Sequence, residues 1–263
     1  MKKVFSRREF LSFGSAVGGF VLGVNAGSAL SSSGPEAAAA FPWPYKELNV
    51  EATKERAYKD HFKSGCMFGA FESLAGQVGG MLGKPYVDFP FALSSYGGGG
   101  VASWGTLCGA CNGAAMAVSM FHQGETRSQL IQEVLAWYEN TKLPVYVPAE
   151  PVRVKKDFAM AASLSESTLC HISITRWSKA SGMKSFSPER AERCARLVAD
   201  VAGYTADLLN NAARGEFAPK LSMSSTAAGC LECHAQGKPT ANEPEVVSRM
   251  SCTTCHKEYH KKI

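Results

Sequence analysis

The sequence predicts a mainly α protein: a helical, cysteine-bearing body followed by a small, loop-rich C-terminal segment. Three observations carry this. A long amphipathic pattern with a start and a stop signal runs from Ser187 to Gly215. Strand-type alternation is scarce and no whole structural unit repeats. The C-terminal stretch is polar and holds its cysteines in two closely spaced pairs. Three segments follow: a leader over residues 1–40, a helical redox domain over 41–215 and a cofactor-binding tail over 216–263.

The leader opens with Ser6-Arg7-Arg8-Glu9-Phe10-Leu11, a twin-arginine pattern, and continues through an apolar stretch from Phe13 to Val24. Four glycines interrupt that stretch, so it makes a poor membrane anchor. Ala38–Ala40 fits a small-residue cleavage site before Phe41; a cut near Ala29 and an uncleaved anchor are the alternatives. The expected location is the periplasm, with no stable membrane insertion after cleavage. The twin-arginine route carries proteins already folded around a cofactor, whereas haem c is attached outside the cytoplasm. The leader therefore hints at a second cofactor besides haem.

Within the body, Pro42, Trp43 and Pro44 mark an extended lead-in. Ala57, Phe62, Cys66, Ala70, Leu74 and Val78 recur at helical spacing and predict a helix from about Glu51 to Met81. Lys84–Ser103 reads as a loop with the run Gly97–Gly100; it is either functional or a plain connector, and it carries no phosphate-binding motif. Gly105–Phe121 is dense in small residues, which permit close approach by a neighbouring helix. Thr126 with Gln129 suggests a capping box before the stripe Leu130, Ile131, Val134, Leu135 and Tyr138. Pro144, Pro148 and Pro151 predict an extended crossing, and a further helix is expected around Ser165–Ala180. In the last helix, Ser187 caps, Pro188 takes the first position, and Cys194, Leu197, Val198, Val201, Thr205, Leu208 and Leu209 share one face.

The tail carries the most specific chemistry. Cys230-Leu231-Glu232-Cys233-His234 and Cys252-Thr253-Thr254-Cys255-His256 are each C-x-x-C-H, the attachment sequence of a c-type haem. Two thiols meet two vinyl groups of one porphyrin, and the adjoining imidazole takes the iron. Two haems c are expected, with Cys230, Cys233, Cys252 and Cys255 as thioether residues and His234 and His256 as proximal ligands. A zinc ribbon is the competing reading of paired C-x-x-C units. It needs neither histidine, and the linker Ala235–Ser251 lacks hairpin signals.

The formal charge is +5, falling to +3 once the leader's charges are removed, which is too mild to argue for nucleic acid or an anionic membrane. Of nine cysteines, five lie outside the haem motifs: Cys66, Cys108, Cys111, Cys170 and Cys194. They do not form the dense framework of a disulfide-stapled domain. Thiolates converging from several helices suit an iron–sulfur centre. A Cys108–Cys111 disulfide and inert core thiols are the alternatives.

Cys108-Gly109-Ala110-Cys111-Asn112-Gly113 fits the C-G-A-x-x-G signature of a redox-active family with four spaced cysteines. With Leu169-Cys170-His171 and the doubled haem motif, the mature chain resembles the split-Soret cytochromes c. The resemblance implies Cys66, Cys108, Cys170 and Cys194 as the four cysteines, with Cys111 extra. It also implies a homodimer, two closely stacked haems per subunit, bis-histidine iron with sixth ligands crossing the dimer, and an iron–sulfur cluster, 2Fe–2S or another type, in the body.

The sixth haem ligands are expected among His122 and His260, then His61; His171 reads as a neighbour of the cysteine centre, and Met223 and Met250 are flanking options. The expected function is electron transfer between redox-partner proteins, non-enzymatic, with no catalytic residues. A haem oxidoreductase with an open iron position is the competing class, separated by coordination state.

Overall fold

The computed structural model has, among the described residues, six α-helices in the body and one in the tail. The residues described are 40–221, 223–237 and 245–256. The twin-arginine pattern and His260 lie outside them. The helices are α1 (Val50–Phe71), α2 (Gln77–Leu82), α3 (Gly109–Phe121), α4 (Gly124–Asn140), α5 (Cys170–Ser181), α6 (Pro188–Ala213) and α7 (Ser225–His234), with α2 a short continuation of α1. The strands β1 (Lys142–Leu143) and β2 (Ser163–Leu164) form one antiparallel pair. None of the described helices is long and apolar enough to cross a membrane.

Helix α6 is the axis of the core. Ser187 accepts the Arg190 amide at 3.2 Å, Pro188 follows, and Gly215 at φ 72° ends the run, all as the pattern predicts. The helix is buried almost all round, from Glu192 to Asn210, because α1, α3 and α4 each pack on it. Helix α3 reaches α1 through glycine. A methyl group at Gly113 would lie 3.0 Å from the Ala70 side chain and 3.0 Å from the Phe71 amide nitrogen. The signature glycine is therefore a helix-packing device.

Four expectations need correction. The helix from Glu51 is not continuous to Met81. Ser64 and Gly65 leave helical geometry, with Gly65 at φ 86°, and residues 72–76 form a π turn. A positive φ is accessible to glycine without strain, so the chain breaks there and re-aims Cys66. The Thr126/Gln129 capping box does not form. Helix α4 starts at Gly124, and Gln129 instead donates to Glu125 at 2.9 Å. Residues 165–169 are not helical, because β2 and its following loop pair elsewhere before α5 begins at Cys170. Finally, the Lys84–Ser103 loop contains two 3-10 turns, Tyr86–Asp88 and Phe91–Gly97, before a left-handed turn.

Non-helical stretches are fastened by buried polar side chains on the helices. The Asp200 carboxylate accepts the amides of Val145 (2.8 Å) and Tyr146 (3.0 Å). Glu192 accepts those of Val152 and Arg153 and the Tyr58 hydroxyl, and pairs with Arg196. Glu133 on α4 accepts the amides of Lys220 and Leu221. Asn210 holds both polar groups of the Leu48 backbone. Each anion sits where irregular backbone would otherwise leave buried N–H groups unpaired.

Candidate functional site

Cys108 and Cys170 are set side by side by one short piece of antiparallel backbone. The Cys108 amide donates to Thr168 O at 2.8 Å, the Cys170 amide donates to Thr106 O at 2.7 Å, and Leu107 bridges Leu169 between them. Each cysteine then opens a helix: Cys108 is the N-cap of α3 and Cys170 the first residue of α5. Cys66 comes in from α1, directly after the Gly65 break, and Cys194 from the middle of α6. All four are buried, and so is Cys111, one turn along α3 from Cys108. Gly109 allows the closure, because a side chain there would meet the Cys66 Cβ at 2.8 Å and Gly97 O at 2.6 Å.

The thiols stand as two hydrogen-bonded pairs, Cys66 with Cys194 and Cys108 with Cys111, with Cys170 beside them. No disulfide links them. The hydrogen bond from Cys66 holds the Cys194 thiol well below the usual range, with help from the Arg193 and His61 charges. That from Cys111, aided by the Tyr138 hydroxyl and the α3 amide of Ala110 against the effect of burial, draws Cys108 down to about 7. Burial pushes Cys170 up to about 12. Among the described residues no group of three or more Cys, His, Asp or Glu side chains is arranged to hold a metal ion.

Around these thiols three buried polar atoms have no nitrogen or oxygen partner, the Tyr138 hydroxyl, Arg193 Nε and His61 Nδ1; the groups beside the first two are the Cys108 and Cys194 sulfurs. The groups acting on Tyr138 are Cys108, Cys111 and Arg193, and Cys194 acts on His61. Orphaned buried donors are costly, so their gathering at one place is informative.

A strained cap covers the site. From Gly99 to Ser103 five consecutive residues have positive φ, including Val101 at 58° and Ala102 at 47°. Left-handed backbone costs about 1–2 kcal/mol per non-glycine residue. The turn is held by the amides of Ala102, Ser103, Gly105 and Thr106 bonding back to residues 96–100. Gly100 lies directly over Cys170, where a side chain would meet the Cys170 Cβ at 2.8 Å. The Gly-rich loop is thus a lid on the thiols, not a plain connector.

In the tail, α7 carries Cys230, Cys233 and His234 at i, i+3 and i+4, on one helical face. Cys252–Thr254 forms a 3-10 turn, with Cys255 and His256 closing it onto Cys252 O. The two motifs meet: burial and the neighbouring Cys230 thiol push the Cys252 thiol up, Cys252 donates to Met250 O at 3.7 Å, and Val246 donates to His234 O at 2.9 Å. Cys233 and Cys255 are exposed.

The second motif also docks on the cysteine centre's own backbone. Thr254 donates to Glu166 O at 2.9 Å, and the Met250 sulfur accepts from Ser167 and Thr168 hydroxyls. The buried Glu139 carboxyl lies beside the Thr168 and Ser251 amides; burial pushes it up, against the pull of those amides, and its Oε1 has no hydrogen-bond partner. Thr168 is the residue whose carbonyl holds Cys108. These tail contacts, like Tyr138 and Arg193, carry no sequence motif; only Arg193's position next to Cys194 hints at them.

The histidines divide by exposure. His61 is partly buried on α1, and its Nδ1 has no hydrogen-bond partner. His122 is partly buried after the end of α3, and its Nε2 has none either. His171 is exposed, with Nδ1 2.8 Å from Gly105 O. That bond places the neutral ring's proton on Nδ1 and leaves Nε2 as the unprotonated nitrogen.

A mainly helical body with a buried five-thiol centre, joined to paired haem-attachment motifs, defines a redox protein of the cytochrome c class. Residues 69–208 match the family model described as "Putative redox-active protein (C_GCAxxG_C_C)". The chain is 37% identical over 256 residues to the split-Soret cytochrome c of Desulfovibrio desulfuricans, covering 92% of this chain and 90% of that protein. It also superposes on a solved structure described as showing a novel iron centre in the split-Soret cytochrome c of that organism. There the TM-score is 0.76 and the identity 36%, over 83% of this chain and 91% of the other. The chain belongs to the split-Soret cytochrome c family, an electron-transfer group within the C_GCAxxG_C_C redox-active proteins.

Proposed function

We propose that this chain is an exported, periplasmic dihaem electron carrier with an iron–sulfur centre in its body, working as a homodimer between redox-partner proteins. The observation that carries it is the meeting of the two C-x-x-C-H motifs at Cys230 and Cys252. Haem supplies one-electron iron chemistry once bound. Cys230 with Cys233 and Cys252 with Cys255 fit its attachment, since each motif has one exposed and one partly buried thiol. His234 and His256 are the proximal ligands. His122, His260 and His61 remain the proposed distal ligands, and His171 joins them because its Nε2 is free to ligate.

Cys66, Cys108, Cys170 and Cys194 are the proposed iron–sulfur ligands. Their donor set is all thiol, and the buried Tyr138 and Arg193 donors, turned to the Cys108 and Cys194 sulfurs with no nitrogen or oxygen partner for the Tyr138 hydroxyl or Arg193 Nε, fit a group with acceptor atoms. Opening the Cys66–Cys194 and Cys108–Cys111 pairs frees the sulfurs to ligate. The lid over Cys170 and Cys66 keeps water out, and Glu139 holds the second haem motif against the same backbone.

The test is an optical and paramagnetic-resonance study of natively matured holoprotein. Low-spin haem that does not bind carbon monoxide, two haems by mass and a further iron signal are expected. High-spin haem that binds carbon monoxide readily would replace the carrier with a haem oxidoreductase.

A further inference from the structure

Arg193 is 2% exposed and lies between the two helices that bring Cys170 and Cys194 to the centre. Its Nη2 donates to the Ser173 hydroxyl at 2.7 Å, one turn after Cys170, and its Nε has no nitrogen or oxygen partner, the Cys194 sulfur being the group beside it. Among the described residues it forms no ion pair with a carboxylate. Asp200 is within electrostatic range, but its two oxygens are taken by the Val145 and Tyr146 amides. A guanidinium does not lose its proton in a protein, so this is a buried positive charge without a carboxylate counter-ion. Such a charge persists only if something anionic neutralises it. The groups that act on it are Cys194, Cys108 and Tyr138, all at the cysteine centre.

We infer that Arg193, with the Tyr138 hydroxyl as second donor, is the built-in counter-charge of the cysteine centre and sets its reduction potential. The inference rests on the iron–sulfur reading of Cys66, Cys108, Cys170 and Cys194. Reduction adds one electron to the centre while no covalent bond is made or broken and Arg193 keeps its protons. A fixed positive charge stabilises the more negative, reduced form. Arg193 touches no substrate in this scheme; it is a positioning residue that acts through the thiolates and the group they hold.

The experiment is a potentiometric titration of the holoprotein with dithionite, following the paramagnetic signal of the reduced centre and, in the same sample, the haem bands. In Arg193→Met the reduced-to-oxidised ratio of the centre at fixed ambient potential is expected to fall at least tenfold, about 59 mV for a one-electron couple. Arg193→Lys should stay within about threefold of wild type, roughly 28 mV or about half of that tenfold span. Tyr138→Phe should move the ratio in the same direction as Arg193→Met, but less. The haem ratios should stay unchanged. An unshifted centre in Arg193→Met overturns the inference, as does an equal shift at the haems, which would report a general disturbance. If Arg193→Met fails to assemble the centre, assembly in Arg193→Lys upholds the need for charge, and failure in both overturns it. A wild-type protein with no iron beyond its haems removes the iron–sulfur reading itself, which is a separate result.

Discussion

The Met250 sulfur accepts a hydrogen bond from the Ser167 hydroxyl at 3.2 Å. This contact ties the tail to the loop that fixes Cys108, so the second haem motif and the cysteine centre share one backbone. Met250 is therefore engaged in docking the tail.

Replacing Met250 with Leu should leave the haem spectrum unchanged. It should also loosen the tail, since a neutral hydrogen bond contributes about 1 kcal/mol, roughly a fivefold change in local opening. Glu139→Gln should loosen it to a similar degree, because the buried carboxyl beside the Thr168 and Ser251 amides becomes an amide with one acceptor oxygen. Amide hydrogen exchange at Ser251 and Thr168 reads both effects. Unchanged exchange at Ser251 in Glu139→Gln would remove the clamp.

Gly113 tests the packing basis of the family signature. Gly113→Ala puts a methyl group against the Met67 carbonyl, the Ala70 side chain and the Phe71 amide. Overpacking of this kind costs about 1–3 kcal/mol. The same change at Gly124, where nothing lies within 4 Å, controls for the added methyl, although its positive φ of 59° makes it an imperfect match. A denaturant midpoint for Gly113→Ala at or above wild type would show that α1 and α3 do not need glycine.

Asp200 should give the protein a measurable acid-side stability. Burial pushes its carboxyl up to about 6, against the pull of the Val145 and Tyr146 amides and the Lys54 and Arg193 charges. The folded chain thus binds this proton more tightly than the unfolded chain, where the pKa is about 3.9. The stabilising contribution is fully present below pH ~4 and is lost as pH rises to about 6, on the order of 2–3 kcal/mol. Asp200→Asn should flatten that slope between pH ~4 and ~6 while lowering stability throughout, because an amide accepts fewer backbone bonds than a carboxylate. Equal slopes in the two proteins would show that Asp200 titrates normally.

What was readable in the sequence was what local chemistry specifies. The cap at Ser187 and the stop at Gly215 define α6 without help from other segments. The two C-x-x-C-H motifs needed no fold at all. Helix breaks were less legible, although Gly65 carried a signal: a glycine inside a helical pattern marks a place where φ can turn positive. The non-helical run before Cys170 escaped detection because its partner, Leu107, is sixty-two residues away in the chain. The same holds for Glu139, Met250 and Arg193. Glu139 and Met250 act through partners distant in sequence, and the Ser173 partner of Arg193 lies on another helix; periodicity reports only neighbours along one element.

Cys111 separates a ligand from a supporting thiol. It lies in the cysteine centre with Cys108, yet the four-cysteine pattern has no place for it. Its thiol is buried and pushed well above the usual range, chiefly by desolvation, whereas Cys108 caps a helix and is drawn down to about 7. The lower one is the better thiolate donor to iron. Cys111→Ala should therefore keep the non-haem iron, and Cys108→Ala should lose it. Iron per chain, measured against the haem content of the same sample, distinguishes the two. The Cys111 thiol also lowers the Cys108 value by donating a hydrogen bond, so Cys111→Ala should slow reconstitution of the apo centre with ferrous iron and sulfide at neutral pH. Loss of the iron in Cys111→Ala with retention in Cys108→Ala would reverse the two roles. A non-reducible Cys108–Cys111 pair that alkylates normally would rule out a disulfide between them in the native protein.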